Sequence, residues 1–244
     1  MLAKILRVAC SILLLTLLPA EFFSSLPHAA TEDLLEKSRA MYAALNSYSD
    51  TGIVTHDYGY TNSPAHDHHK FITSLKRSPR GFYFEFNKEG GDRYVIWGDP
   101  QAFHTWWKAT GVESDYPNPD NAGAFTTSAV NTVGATGKIV SLLYKKGALP
   151  SDFAYFNDAV VEGKENISAH ECYRLVGTAK DVYGTGHEVN VRKLSVWIDT
   201  DSLLIRKIVE EWKPLPGQVS RITTTFEPQA NPALDESKFK FTLP

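Results

Sequence analysis

The stretch VWIDTDSLLIRKIVEEW (residues 196–212) decides the fold, because it holds two strand-like runs joined by a short polar turn. Apolar residues recur on both sides of Asp199, Asp201 and Ser202. Short polar side chains of this kind bond neighbouring backbone amides in tight turns. The stretch therefore predicts a β-hairpin, with the three polar residues as turn formers rather than ligands or catalysts.

Both strands of this hairpin carry apolar residues on both faces. Successive residues of a strand point to opposite faces. In the first strand, period-two alternation places Leu194, Val196 and Ile198 on one face and Val191 and Trp197 on the other. In the second strand, Leu204, Ile208 and Trp212 share one face, and Leu203, Ile205 and Val209 lie on the opposite face. Strands that are apolar on both sides need cover on both sides. One face is expected to be core, and the other is either core or the wall of a cavity.

Similar strand patterns recur along most of the chain, separated by turns rich in Gly, Pro, Asn and Asp. The predicted strands are residues 47–58, 69–76, 82–87, 93–97, 102–108, 159–162, 172–178, 189–198, 203–213 and 219–227. The connections 59–66 and 111–121 contain prolines and are predicted as loops. These strands in sequence predict a large antiparallel sheet.

Two segments have helical rather than strand-like spacing. Residues 31–45 form an apolar stripe, with Thr31 as the expected N-cap. Residues 122–146 are expected to hold one or two helices that end near Gly147. An early helix, a central helical insertion and a large antiparallel sheet predict the α+β fold class.

The N-terminus is typical of an export signal. Lys4 and Arg7 precede an apolar run at 8–18, which suits a signal peptide better than a spanning helix. Cleavage of the signal peptide is expected after Ala30. The alternatives are cleavage after Ala20 and an N-terminal anchor that is not cleaved. Residues 1–30 are thus predicted as a signal peptide and 31–244 as one periplasmic domain.

Composition narrows the function classes further. Cys10 precedes most of the apolar run, so the exported protein is not expected to be a lipoprotein. Cys172 is then the one remaining cysteine, which excludes an internal disulfide. The formal net charge of −3 gives no reason to expect a nucleic-acid partner. The protein is expected to be a monomer without a cofactor.

The strongest local cluster of metal-ligand types is AHDHH at residues 65–69. His66, His68 and His69 are candidate zinc ligands, since histidine is a good ligand for Zn²⁺. A metal site needs further ligands, and His56, Asp57 and His104 are the available candidates. The alternative is a polar loop tip, which the Pro- and Asn-rich surroundings favour.

Signals for catalysis are weak. No G-x-S-x-G motif is present, and the adjacent Glu210 and Glu211 point to opposite faces of a strand. Cys172 follows His170 closely, but it also starts an alternating strand, where a buried small apolar residue is the favoured interpretation. The chain is expected not to be an enzyme.

The tryptophans are more informative. Trp97, Trp106, Trp197 and Trp212 all lie on predicted strands. A sheet that curves around apolar space is a natural site for an apolar ligand. These four are therefore candidate ligand-binding residues, and an ordinary double-sided core is the alternative.

Several motifs, in order, resemble the LolA/LolB-like group of periplasmic lipoprotein carriers and the related outer-membrane lipoprotein-sorting proteins. LKRSP (75–79) is similar to the K-R-P turn of that group, with Ser78 inserted. HECYRL (170–175), WID (197–199) with LIRKI (204–208), and the ending KFKFTLP (238–244) resemble its later motifs. The resemblance covers most of residues 31–244 and points to a divergent branch.

The resemblance implies an open antiparallel half-barrel of about eleven strands, with helices covering its concave face. It implies that Arg77 ties the sheet to the helical lid, so Arg77 joins the candidate ligand-site residues. It also implies a non-enzymatic role: holding a lipid or lipoprotein acyl chain in trafficking to the outer membrane. The alternatives are an envelope assembly or stress-sensing module that contacts proteins, and a secreted metal-dependent hydrolase.

Overall fold

The computed structural model describes residues 28–60, 62–116, 134–143, 156–180, 191–213 and 216–242. These ranges contain helices α1 (His28–Ala44) and α2 (Thr136–Leu143) and a 3₁₀ helix (Glu236–Phe239). The strands are β1 (Ser47–Tyr60), β2 (Ser63–Arg77), β3 (Arg80–Asn87), β4 (Arg93–Gly98), β5 (Phe103–Trp107), β6 (Val112–Tyr116), β7 (Phe156–Ile167), β8 (His170–Lys180), β9 (Val191–Asp199), β10 (Ile205–Trp212), β11 (Gln218–Phe226) and β12 (Gln229–Ala230). None of the helices in this part of the chain is both long and apolar enough to span a membrane.

All the strands form one open sheet. Its order is β6-β5-β4-β3-β2-β1-β11-β10-β9-β8-β7, and β12 pairs with β1 off this path. Each pair is antiparallel, and β1 joins the first half to the second through β11. This confirms the predicted α+β class and the open half-barrel of about eleven strands that the family resemblance implied.

Several predicted boundaries were wrong. The β1–β2 hairpin continues to Tyr60 opposite Ser63, so most of the predicted loop 59–66 is strand. The predicted loop 111–121 contains β6, which among the described strands pairs with β5 alone. Helix α1 begins at His28, so Thr31 lies inside its first turn and is not the cap. Of the predicted helical segment 122–146, the structure describes residues 134–143. Residues 1–27 of the predicted signal peptide lie outside the described residues.

One face of the sheet, here called the inner face, packs against both helices. Leu34, Leu35 and Tyr42 of α1 and Ile139 and Leu143 of α2 belong to the same buried cluster as the inner-face strand residues. That cluster includes Tyr48, Phe71, Phe82, Phe84, Phe86, Ile96, Val196, Ile208 and Phe226.

The opposite face, here called the outer face, carries two smaller apolar clusters. In the first, Tyr83, Val95 and Trp97 are covered by Phe239 from the C-terminal segment. The second consists of Cys172, Trp197 and Val209, with Ile167 packed against it. Both faces are thus covered in part, as the alternation predicted.

The hairpin at 196–212 departs from simple alternation at one residue. Ile205 pairs with Ile198 and Lys207 with Trp197, which leaves Arg206 as the extra residue of a β-bulge. Because of this bulge, Ile205 and Ile208 both belong to the inner core. The expectation that Ile205 faces away from Ile208 was therefore wrong.

Candidate functional site

The inner face and the two helices form the largest buried apolar cluster of the described residues. Phe71 of β2 contacts Phe226 of β11 edge-on, with ring centroids 5.5 Å apart. Gly52 lies between these strands, and a Cβ there would lie 2.2 Å from the Phe71 ring. Glycine is therefore required at this position so that the aromatic rings can pack against the backbone.

Arg77, at the end of β2, joins this surface to both helices. Its Nε donates to the backbone oxygen of Leu45 at 2.5 Å, just beyond the end of α1. One terminal nitrogen donates to the oxygens of Tyr42 at 3.2 Å and of Leu143, the last residue of α2, at 2.8 Å. We call this set of contacts the Arg77 clasp. It is the contact between sheet and helices that the family resemblance implied.

The clasp is physically favourable because of where it binds the helices. The last carbonyls of an α-helix lack an intrahelical partner, and the C-terminal end of the helix dipole is negative. A guanidinium offers several donors in a fixed plane, so one side chain can serve both helix ends. The two helices are therefore held to the sheet at their C-termini by the same charged group.

A buried polar network lies next to the clasp. The Tyr42 hydroxyl accepts from the backbone N–H of Ile205 at 3.0 Å. The Tyr48 hydroxyl donates to Asp50 at 2.7 Å, and the backbone N–H of Thr73 donates to the other Asp50 oxygen at 3.0 Å. Burial raises the pKa of Asp50 to about 6 despite these bonds. Asp50 is an inward-facing position of β1, which period-two alternation with Tyr48 could have identified.

The inner face becomes aromatic and polar towards the far end of β1. The His56 ring lies 4.7 Å from Tyr58 and 6.2 Å from Trp212, where it is stacked. Its Nε2 is 2.8 Å from the Ser220 hydroxyl. Burial lowers the pKa of His56, which favours the neutral ring. The sequence placed Trp212 among the candidates, but it gave no reason to bring His56 or Ser220 to it.

Helix α2 contributes a charged contact at the same end. Glu210 of β10 is buried and lies 3.5 Å from Lys138 of α2 and 3.6 Å from Arg192 of β9. The Arg192 guanidinium also lies 5.0 Å from the Trp212 ring centroid. A buried carboxylate needs such partners to offset the loss of hydration.

The histidine cluster at 66–69 is divided between the two faces of β2. His66 is exposed and lies 2.6 Å from Asp57 across the strand pair, whereas His69 is buried against Phe86. The side chain of His68 is exposed. Within the described ranges, no group of three or more His, Cys, Asp or Glu residues is placed to hold a metal ion. The loop-tip interpretation was wrong, since all three histidines lie on a strand.

The candidate tryptophans do not meet in one place. Trp97 and Trp106 lie in the outer-face cluster under the C-terminal segment. Trp197 lies on the outer face in the second cluster, between the cations of Lys207 and Arg174. Trp212 packs against the inner core. Of the five candidate ligand-site residues, Arg77 and Trp212 therefore border the inner face.

The turn of the 196–212 hairpin is a structural corner. One oxygen of Asp199 accepts from the backbone N–H groups of Asp201 and Ser202, and the other lies 3.0 Å from Arg206. Burial opposes ionisation of Asp199, but these bonds lower its pKa below the usual range. The nearby Cys172 is buried, and burial raises its pKa to about 11, which disfavours the thiolate that a nucleophile needs.

No protein-family model matches the chain, and a search of curated proteins finds no match. Solved structures are similar in fold. The lipoprotein LppX of Mycobacterium tuberculosis is 14% identical, with 86% of this chain and 99% of that chain covered and a TM-score of 0.49. MucB in the MucA/MucB complex of Pseudomonas aeruginosa is 14% identical (87% and 61% covered, TM-score 0.45). A LolA superfamily protein from Nitrosomonas europaea is 12% identical (86% and 97% covered, TM-score 0.34).

At these identities the similarity concerns the fold alone, and no ligand or residue role is transferred from these structures. A putative outer-membrane lipoprotein-sorting domain from Vibrio parahaemolyticus is also among them. The solved structures that the chain is similar to thus include a LolA superfamily protein and a lipoprotein-sorting domain, the groups that its motifs resemble.

Proposed function

We propose that this protein is a periplasmic, non-enzymatic binding protein for an apolar ligand, a lipid or a lipoprotein acyl chain, in transport to the outer membrane. The observation that carries the proposal is the Arg77 clasp. It holds two helices over the apolar inner face through backbone carbonyls of Tyr42, Leu45 and Leu143. In this proposal the helices separate from the sheet when the clasp, the Ala135–Thr224 bond and the apolar contacts of the helices are broken, while the strand pairing is kept.

The inner face supplies the binding energy in this proposal. Separation of the helices would expose the aromatic and aliphatic residues of the inner core, among them Phe71, Phe84 and Ile208. Each CH₂ group that a bound chain removes from water contributes roughly 0.8 kcal/mol. One acyl chain therefore needs few polar contacts, and no chemical step is required of the protein.

Native mass spectrometry of freshly purified protein tests the proposal, followed by lipid extraction. We expect a co-purifying lipid mass, and a rise in Tm when a long-chain lipid is added to delipidated protein, because a ligand that binds the native state stabilises it. Absence of any bound lipid together with an unchanged Tm would contradict the proposal.

A second candidate function is protein contact in envelope assembly or stress sensing. The observation that favours it is the open sheet, whose edge strands β6 and β7 each pair on one side within the described strands. An unpaired edge can receive an extended peptide as an added strand. Crosslinking in the periplasm should then capture a defined partner from protein that carries no lipid.

The metal-dependent hydrolase has the weakest support, because His66 and His69 lie on opposite faces of β2. Metal analysis of the purified protein is its test. Less than about one tenth of an equivalent of bound zinc per chain leaves a tetrahedral site without support.

A further inference from the structure

His69 is a buried histidine on the inner face, at a position opposite Val54 of β1. Its side chain is 6% exposed, and its ring centroid lies 5.3 Å from that of Phe86. Val54 and Phe86 both belong to the inner core. The imidazole therefore sits among apolar groups on the surface that is proposed to bind the ligand.

The hydrogen bond at His69 Nδ1 defines which ring nitrogen carries the proton. The backbone N–H of Glu89 donates to His69 Nδ1 at 3.2 Å, so Nδ1 is the acceptor and carries no proton. Burial lowers the pKa of His69, which is consistent with a neutral ring. A neutral imidazole that accepts at Nδ1 carries its proton on Nε2.

Among the described residues, the Nε2–H group of His69 has no acceptor. In the described part of the chain, His69 Nε2 is buried and has no hydrogen-bond partner. Buried donors in native proteins are almost always paired, because leaving one unpaired costs free energy. Because His69 lies on the surface that is proposed to bind the ligand, the ligand can supply the missing acceptor.

We infer that His69 Nε2–H donates a hydrogen bond to the ester carbonyl oxygen at the head of the bound acyl chain. This inference rests on the proposed function and names the polar feature of its ligand. The nearby carboxylates of Asp67 and Glu89 favour an uncharged ester over a free carboxylate, although Lys88 offsets part of their charge. A hydrocarbon chain without an oxygen cannot satisfy the donor.

Competition binding tests the assignment. Methyl laurate, lauric acid and dodecane are each used to displace a fluorescent apolar dye from the wild type and from His69→Phe. The phenyl ring keeps the contact with Phe86 and removes the donor. We expect the preference for methyl laurate over dodecane to fall about five- to tenfold in His69→Phe, which is the loss of one hydrogen bond. Lauric acid distinguishes the second source of oxygen, a free fatty acid, and should bind the wild type more weakly than the ester.

His68→Phe is the matched control, since it makes the same change one residue away, where the side chain is exposed. It should keep the wild-type preference. An unchanged ester preference in His69→Phe overturns the assignment while leaving the proposed function intact. If none of the three probes binds the wild type, the proposed function fails and the assignment fails with it.

A measurement on the wild type keeps the inference testable if His69→Phe does not fold. In ¹⁵N-edited spectra of the histidine side chains, His69 should carry its proton on Nε2. That resonance should shift when methyl laurate is added and stay unchanged with dodecane. A proton on Nδ1, or equal responses to the two probes, contradicts the inference.

Discussion

Asp50 is a buried carboxyl group on the inner face of the sheet. It is 1% exposed, and its oxygens accept from the Tyr48 hydroxyl and the Thr73 backbone N–H. Burial disfavours the carboxylate form, which raises the pKa of Asp50 to about 6. The ordinary pKa of an unfolded aspartate is near 4, so the folded state binds this proton more tightly.

The sign of the resulting pH dependence is defined. Because the folded-state pKa is raised, the contribution of Asp50 to stability is fully present below pH ~4 and is lost as the pH rises through about 6. Asp50→Asn removes this dependence. Between pH 5 and pH 8 the free energy of unfolding of Asp50→Asn should therefore increase relative to wild type by about 1–2 kcal/mol.

Urea denaturation at pH 5, 6.5 and 8 measures this difference. Asp201→Asn, in the exposed turn of the 196–212 hairpin, controls for the loss of one negative charge. If the free energy of unfolding changes with pH in the same way for wild type and Asp50→Asn, the Asp50 carboxyl does not titrate in this range.

Helix α2 docks on the sheet through its N-terminal end. Gly134 has φ +73°, and a Cβ there would lie 2.7 Å from the Thr224 hydroxyl oxygen and 2.8 Å from Ile222. The next backbone N–H, of Ala135, donates to the same Thr224 hydroxyl at 3.0 Å. Glycine at this position is thus required both by the left-handed conformation and by the close approach to β11.

Two glycine substitutions in this segment should act in opposite directions. Gly134→Ala should destabilise the protein by roughly 1–3 kcal/mol, because it strains the backbone and displaces α2 from β11. Gly137→Ala places a Cβ where no atom of the described residues outside the helix lies within 4 Å, and alanine favours the helix by roughly 0.5–1 kcal/mol. Thermal unfolding of both variants measures their stabilities. If both are destabilised equally, Gly134 is not the point at which α2 contacts β11.

The Arg77 clasp acts on both helices together. Arg77→Met keeps the length of the side chain and leaves the carbonyls of Tyr42, Leu45 and Leu143 without this donor. We expect a loss of about 2–4 kcal/mol in stability and faster amide hydrogen exchange in the last turns of α1 and α2. Lys76→Met is the control, because its ion pair with the exposed Glu236 lies at the surface and is worth at most about 1 kcal/mol. Equal losses of stability in the two variants would show that the Arg77 clasp does not hold the helices to the sheet.

Across the whole molecule, the two faces of the sheet have different roles. The inner face packs against helices that the clasp holds at one end, whereas the outer face near Trp97 is covered by Phe239 and Phe241 of the C-terminal segment. A ligand that replaces the contacts between the helices and the sheet should change the surroundings of inner-face residues. The outer-face cluster should remain packed.

Tryptophan fluorescence distinguishes the two faces. Trp212 packs against the inner core, and Trp97 belongs to the outer-face cluster. Adding an acyl ligand should change the emission of the wild type, and Trp212→Phe should lose most of that change. Trp97→Phe should retain it. The reverse result would place the ligand on the outer face and would favour the sequence-based candidates Trp97 and Trp197.

Sequence patterns were sufficient for the main elements because a half-buried antiparallel strand repeats with a period of two. The hairpin at 196–212, its turn and the antiparallel sheet followed from that period alone. The edge strand β6 and the start of β2 were missed, because their side chains are largely exposed and their pairing partners are outside the local window. The bulge at Arg206 was missed for a similar reason, since register is a property of two strands.

The sequence by itself determined that this chain builds a large antiparallel sheet with helices, and that Asp199 is a turn former, because both depend on residues near one another in the chain. Only the tertiary structure decided which face is the inner one, and brought Arg77 to the ends of both helices. Among the described residues, it also leaves His69 Nε2 without a hydrogen-bond partner. These features join residues that are distant in sequence. Side-chain alternation assigns residues to the two faces of a strand, but it does not determine which element packs on each face.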